Sequence, residues 1–386
     1  KFESKQRTLV QIKDRQFDAS SPPGTFVSWT NYPKVSIAPL ANPGTQDNTE
    51  LENPSAWFGK TSQEIIEMRL QLIQPKISML VKSAADPNKQ LNEIQQAALS
   101  VKPVESEFIL KTKPSTSLSF NDTVAPIGAS ADLSLMRLIE NPKIPKKVDS
   151  FIDDKNTKAL PAMTELYQDG LPVHYLSRIL SAGTLGVQKN RKLTPTRWSI
   201  TAIDSNVSQY LINEEVKHNT QINEFELYKE SYLGNHFFVL LCPNTWSFEM
   251  LECWLPGAGW AIEETKDPHI IVDFENYSGR TNYADNITGA YYAARLAVTE
   301  QLTKRKRQGT AIVFREITSD YSVPLGVWVI RETVRQALTK KPILFSDHKL
   351  ALQYISTHLQ VPIQKYLQVS TILSNFGKQK KISDFS

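Results

Sequence analysis

Three groups of residues in this sequence carry the side-chain types of known catalytic or ligand-holding sites. Asp204, followed by Glu215-Val216-Lys217, has the composition of a metal-dependent nuclease core, in which two carboxylates hold a divalent cation and a lysine orients the attacking water. Such a core wants its Glu and Lys on a strand. Here they close a strongly helical stretch, "NVSQYLINEEVK", which Asp204 or Ser205 would cap, and a solvated helix face is the plainer account. Glu249 and Glu252, in "TWSFEMLECW", stand at the i,i+3 spacing of one helix face beside three aromatics. They would bind a metal or tune a proton, but without a nearby histidine they read first as surface carboxylates. Gly59-Lys60-Thr61 ends like a Walker A loop. The glycine that such a loop needs five residues earlier is Pro54, which has no N–H to offer a phosphate, so Thr61 reads as a helix cap. The six histidines are scattered, with no H-x-H or H-E-x-x-H spacing.

The basic clusters are more coherent. Lys189, Arg191, Lys192 and Arg197 fall in one acid-free stretch with Asn190, Thr194 and Trp198, a mixture of phosphate ligands and a ring on which a base would stack. Lys304, Arg305, Lys306 and Arg307 close a long helical segment, where the macrodipole accounts for one or two cations but not four. Both clusters are candidate nucleic-acid contacts, with an ordinary solvated surface as the alternative.

These residues must be positioned by elements of both kinds. Residues 20–60 are rich in Pro, Gly, Ser and Asn and read as an ordered irregular segment pinned by Trp29, Tyr32, Trp57 and Phe58. Thr61 and Ser62 then offer caps to "SQEIIEMRLQLI", and a second helix follows around Leu91, Ile94 and Ala98. "VESEFILKTK" alternates as a strand with one wet face. The helical "VHYLSRILSAG" ends at Gly183, and "KNRKLTPTRWSITAID" predicts a basic loop leading into a strand. "EFELYKESYLGNHFFVLLCP" reads as a hairpin. Beyond it come strand "HIIVDF", the long helix from "ITGAYY", strand "TAIVFREI", helix "VWVIRETVRQAL" and two short helices capped near Asp347 and Pro362. The mixed order predicts an α+β fold with mixed, largely antiparallel sheets, packed helices and an irregular N-terminal segment.

Composition sets the bounds. The 386 residues, 40% hydrophobic and 22% charged, suit a folded protein of two or three domains and argue against disorder. No run approaches the apolar length of a membrane span, and the first residues hold no signal-peptide core, so a cytoplasmic protein is expected. The two cysteines, Cys242 and Cys253, fit neither a disulfide framework nor a close C-x-x-C pair, and read as reduced structural thiols. A net charge of +4 is too small to establish a polyanion partner by itself. Since the first residue is Lys1, a further N-terminal segment is expected.

The last eight residues, "QKKISDFS", follow a helix-stopping Gly377. Ile382 and Phe385 are three apart, so one helical turn places them on the same side with Gln379 one turn earlier, the form of a plug for a pocket on another protein.

At "NRKLTPTRWSITAID" the sequence resembles a known family. Together with "SPPGTFVSWTNYPKV", "ENPSAWFGKTSQEIIEMR", "HYLSRILSAGTLGVQKNRK", "TWSFEMLECW", "TGAYYAARLAV" and "FREITSDYSVPLGVWVIRE", it is similar to the archaeal Nre proteins from about Ser20 to Leu338. The resemblance implies a DNA repair protein with a large N-terminal and a smaller C-terminal Nre region, and a C-terminal peptide that binds the sliding clamp PCNA. Gln379, Ile382 and Phe385 match that peptide; Ser386 replaces its final aromatic, which should weaken the contact. The resemblance also implies a four-cysteine, zinc-binding module before Lys1. The expected organisation is an N-terminal arm (1–19), an Nre N-terminal region (20–278), an Nre C-terminal region (279–376) and a clamp-binding tail (377–386). A metal-dependent nuclease or other nucleotide-processing enzyme is the alternative.

Overall fold

Strict alternation in "VESEFIL" places Val104, Ser106, Phe108 and Leu110 on a buried face and Glu105 in solvent, and this strand is one of twelve in a computed structural model that describes residues 15–43, 50–115, 120–258 and 267–375. The chain divides into two units, residues 1–207 and 208–386.

The first unit is built on a six-stranded sheet. Its strands are β1 (Gln16–Ser21), β2 (Thr25–Val27), β3 (Lys34–Pro39), β4 (Gln74–Leu80), β5 (Val104–Leu110) and β6 (Ser130–Leu138), in the order β1-β5-β6-β4-β3-β2. All neighbours are antiparallel except β4 and β6. Its helices are α1 (Ser62–Leu70), α2 (Lys89–Leu99), α3 (Lys146–Asp153), α4 (Ala159–Gln168), α5 (Val173–Ser181) and α6 (Thr196–Glu214), the unit division falling inside α6. Thr61 and Glu64 form a reciprocal capping box on α1, while Lys60 pairs with Glu50 at 3.1 Å, so this stretch is a helix start and not a phosphate loop. Asn88 caps α2 through the Leu91 N–H, and the apolar face Leu91, Ile94 and Ala97 packs with Phe108, Leu133 and Met136 of the sheet. Each of the large side chains buried there contributes about 1.5–3 kcal/mol. Leu193 joins the same core although it lies in the basic loop between α5 and α6.

The second unit carries β7 (Phe225–Tyr232), β8 (Asn235–Cys242), β9 (Ser247–Trp254), β10 (His269–Glu275), β11 (Thr310–Ile317) and β12 (Ile343–Phe345), in the order β10-β9-β11-β8-β7-β12. The β9–β11 pair is parallel and the rest antiparallel. The β7–β8 hairpin turns at Leu233 and Gly234, both at positive φ, and a Cβ at Gly234 would lie 2.4 Å from the Tyr321 nitrogen. The helices are α7 (Gly289–Arg305), α8 (Trp328–Thr339), α9 (His348–Ser356), α10 (Ile363–Val369) and α11 (Thr371–Asn375). Ala351, Ile355, Ile363, Tyr366 and Ile372 of the last three helices share one core with Leu240, Leu251, Ile312 and Phe314 of the sheet. Among the described residues no helix is long and apolar enough to cross a membrane.

Three local expectations are overturned. "TRWSITAID" is not a strand but the start of α6, because Ser199, Ile203, Val207 and Leu211 recur every four residues along one buried row. "TWSFEMLECW" is not helical but lies in β9, where Phe248 to Cys253 are all buried; a strand covered on both faces shows no alternation. The segment 20–60, read as irregular, holds β2 and β3 as short strands at one side of the first sheet.

Candidate nucleic-acid interface

The turn between β2 and β3, "SWTNYPK", presents its rings outward. Trp29 is 50% and Tyr32 49% exposed, against the expectation that they pin the segment; that task falls to Trp57, which is 1% exposed and donates its indole N–H to the Glu50 carbonyl at 2.6 Å. The turn is fixed by paired bonds between Ser28 and Ser36, in which the Ser28 N–H donates to the Ser36 carbonyl and the Ser36 N–H to Ser28 Oγ, both at 2.9 Å. It is anchored to the start of α6 by the Val27 N–H, which donates to Thr196 Oγ1 at 2.8 Å. Two contacts between sequence-distant residues lie beside that anchor. The Arg197 guanidinium lies over the Trp29 ring at 5.5 Å, and Trp198, itself 45% exposed, packs on Tyr32 with ring centres 5.3 Å apart.

The four cations of the adjoining loop divide into two kinds. Leu193 is buried, its N–H donates to the Val81 carbonyl at 2.9 Å, and Ser181 Oγ donates to the Thr194 carbonyl at 2.8 Å, so the loop backbone is tied to the body. Arg191 turns inward and donates to the carbonyls of Gly186 at 2.9 Å, Ile152 at 2.7 Å and Asp154 at 3.3 Å. Burial holds its guanidinium below the ordinary value, with Asp154 and Asp153 pulling the other way. Lys189 and Lys192 are exposed, and among the described residues neither they nor Arg197 pair with a carboxylate. Three exposed rings and Arg197 thus meet on the first unit, and the exposed Lys189 and Lys192 lie on the loop that leads into that place. Stacking faces beside phosphate-seeking charges are the pattern of single-stranded nucleic-acid binding.

The second unit assembles another basic patch. Arg305 is withdrawn from it: its guanidinium grips Glu226 with two bonds of 2.5 and 2.6 Å and donates to Tyr228 Oη at 2.9 Å. Lys304, Lys306 and Arg307 remain exposed, and Arg307 bonds the Thr220 hydroxyl. Gln308 ties this end to the segment after α6 by donating to the Asn219 carbonyl at 2.6 Å, which places Lys217 and His218 nearby. Lys217 Nζ lies 4.9 Å from the centre of the exposed Tyr277 ring.

The carboxylates that suggested catalysis are dispersed. Asp204 lies fully buried in the interior of α6, not at a helix start. Glu215 lies just past the last residue of α6 and is exposed, whereas Asp204 is buried within it. Glu249 and Glu252 sit three apart on a strand, so they point to opposite faces, and both are buried, not surface groups. Glu249 accepts from the Ser370 hydroxyl and from the N–H groups of Thr371 at 2.7 Å and Ile372 at 3.1 Å, capping α11; burial raises its pKa. Glu252 accepts from Arg315 at 2.5 Å and from the Trp254 indole at 2.9 Å. Among the described residues no three His, Cys, Asp or Glu side chains come together to hold a metal.

The signature described as "Archaeal Nre, N-terminal" matches residues 1–261, and "Archaeal Nre, C-terminal" matches residues 275–385. The chain belongs to the archaeal Nre family. Within it, the chain is similar to the DNA repair protein NreB of Archaeoglobus fulgidus, at 35% identity over 372 residues, covering 96% of this chain and 92% of that one. It is 36% identical over 370 residues to the DNA repair protein NreA of Haloferax volcanii, covering 94% and 87% of the two chains. To the DNA repair protein NreA of Archaeoglobus fulgidus it is 38% identical over 357 residues, covering 92% and 89%. No solved structure matches.

For this Nre chain, Gln379, Ile382 and Phe385 lie outside the described residues. The zinc-binding module implied by the family resemblance was placed before Lys1 and does not involve Cys242 and Cys253, which are free, fully buried thiols in the core of the second sheet. Burial pushes both thiols up, Cys253 to about 11. Sequence reasoning missed Trp29 and Tyr32 as surface groups. The signal available was their place around Asn31-Tyr32-Pro33, a turn sequence in which two large rings have no alternating strand to bury them.

Proposed function

We propose that this protein is a DNA repair factor that binds DNA through the aromatic and basic surface of its first unit and is recruited to the sliding clamp PCNA by its C-terminal peptide. The observation that carries the DNA-binding part is the grouping of exposed Trp29, Tyr32 and Trp198 with Arg197, directly after the loop that carries the exposed Lys189 and Lys192. The relatives' description as DNA repair proteins supports the biological setting. The clamp part is supported by the match of Gln379, Ile382 and Phe385 to a clamp-binding peptide and by a C-terminal family match that runs through residue 385. The patch at Lys304, Lys306, Arg307 and Lys217 supplies further phosphate contacts, and a cytoplasmic location follows from the same reading. The dispersal of Asp204 and Glu215 favours a binding factor over a nuclease that would use them.

Fluorescence anisotropy of labelled DNA tests this reading. Wild type should bind with a salt-dependent affinity, and Trp29→Ala with Trp198→Ala should weaken binding about tenfold or more, since stacking of each base is worth roughly 1–3 kcal/mol. Equal affinity in wild type and the double variant would remove the surface from consideration.

A further inference from the structure

Behind the Trp29 turn lies a cavity of about 400 Å³, within the range of pockets that take small ligands. Trp29 and Arg197 stand at it together with Asn31, Gln74, Lys76 and Asn121, and Phe26 and Ile127 give it apolar wall. Its polar lining is unspent. Gln74 is only 5% exposed, yet its carboxamide has no hydrogen-bond partner among the described residues; its backbone N–H alone is used, donating to the Ala129 carbonyl at 2.8 Å. Gln74 lines the cavity, so its carboxamide donor and acceptor are within reach of whatever enters it. Asn121 uses its Oδ1, which accepts from Thr123 at 2.8 Å and Val124 at 3.2 Å. Its Nδ2 makes no bond among the described residues. Lys76 reaches only Ser130 Oγ at 3.5 Å and meets no carboxylate there.

We propose that this cavity receives one unpaired nucleotide of a DNA strand, its base stacked at Trp29 and read by the Gln74 carboxamide, its phosphate held by Arg197 and Lys76. The proposal rests on the DNA-binding reading above and gives it a substrate class: DNA in which a base has left the stack. A carboxamide supplies the paired donor and acceptor that match a base edge, the way Gln and Asn read adenine. A ring and two cations beside it supply the stacking face and the phosphate contact, the combination by which extruded bases are held.

Titrations of the full chain decide it, using a paired duplex, the same duplex with one unpaired adenine, and free dAMP as a competitor. Wild type should prefer the duplex with the unpaired base about tenfold or more, the contribution of one stacked base, and dAMP should compete for that excess. Gln74→Leu, close in shape and apolar, should abolish the preference and leave paired-duplex affinity unchanged, with a melting temperature close to wild type showing that the variant is folded. Trp29→Ala should also reduce the preference. Equal binding of the two duplexes by wild type, or full preference retained in Gln74→Leu, would overturn the pocket while leaving general DNA binding standing. Binding of dAMP without either duplex would overturn the placement in a strand and make the ligand a free nucleotide. Binding of none of the three would overturn both this inference and the DNA-binding reading.

Discussion

Arg191 is one of four cations in a single stretch, yet the fold spends it internally, and a substitution there should separate folding from binding. Its guanidinium donates to three carbonyls: the bond to Gly186 at 2.9 Å stays within the α5–α6 loop, and those to Ile152 at 2.7 Å and Asp154 at 3.3 Å join it to the end of α3 and the residue after it. A hydrogen bond from a charged donor contributes roughly 1.5–3 kcal/mol when well made. The 3.3 Å bond counts toward the low end, and water reaching the freed carbonyls of a half-buried site returns part of the loss. Arg191→Gln should therefore destabilise by about 2–4 kcal/mol. For a unit of this size each kcal/mol lowers the melting temperature by roughly 2–4 °C, so a fall of roughly 4–15 °C is expected by calorimetry. Lys189→Gln and Lys192→Gln, whose side chains touch nothing charged, should stay within about 0.5 kcal/mol of wild type. Each should instead flatten the slope of log K against log salt by about 0.7–0.9, because a lysine that no longer neutralises its phosphate no longer displaces that phosphate's counterion. An Arg191→Gln protein that melts like wild type but loses salt dependence would refute the division.

The remaining expectations concern the second unit and the tail. Burial raises the Glu249 pKa, so its contribution is fully present below the ordinary carboxylate value of 4.5 and is lost as pH rises through the raised folded value. Melting temperature against pH should show Glu249→Gln matching wild type in acid and exceeding it toward neutrality; a variant weaker at neutral pH would contradict this. Glu226 has the opposite sign. Burial pushes its carboxyl up, but the bonds from Arg305 and Tyr228 outweigh it, so its stabilisation holds above the ordinary value and is lost as pH falls through the lowered folded one. Glu226→Gln should destabilise at neutral pH and converge with wild type in acid. In the tail, Phe385→Ala should weaken clamp binding about tenfold or more by calorimetric titration, since one large buried side chain contributes roughly 1.5–3 kcal/mol. Deleting Gln379 to Ser386 should abolish clamp binding and leave DNA affinity unchanged; equal clamp affinity in all three proteins would exclude this contact.

What the sequence revealed followed periodicity. The alternation of β5, the capping box at Thr61 and the hairpin at Leu233-Gly234 are all local signals, and the structure realises each. Strand β9 was hidden because both its faces are covered, and α6 because Ile200, Thr201 and Ile203 mimic a strand while its buried row of Ser199, Ile203, Val207 and Leu211 shows only at a spacing of four. The candidate surface was half legible. The charges of the α5–α6 loop stand side by side in sequence, but nothing there distinguishes the inward Arg191 from the outward Lys192. The meeting of Trp29 with Arg197 and of Tyr32 with Trp198 spans well over a hundred residues and is held by long-range bonds, Val27 N–H to Thr196 Oγ1 among them. Gln74 was invisible for the same reason: its place in the wall of a cavity is a property of packing, and no spacing announces it.

The most direct test of where DNA lies is photo-crosslinking. DNA carrying 5-iododeoxyuridine at each position in turn, irradiated in complex with the full chain and digested for mass spectrometry, reports the side chains that touch the bases. The account predicts crosslinks to the peptides holding Trp29, Tyr32 and Trp198, lost selectively in the corresponding alanine variants. Crosslinks confined to other parts of the chain, with those three rings unlabelled, would contradict it.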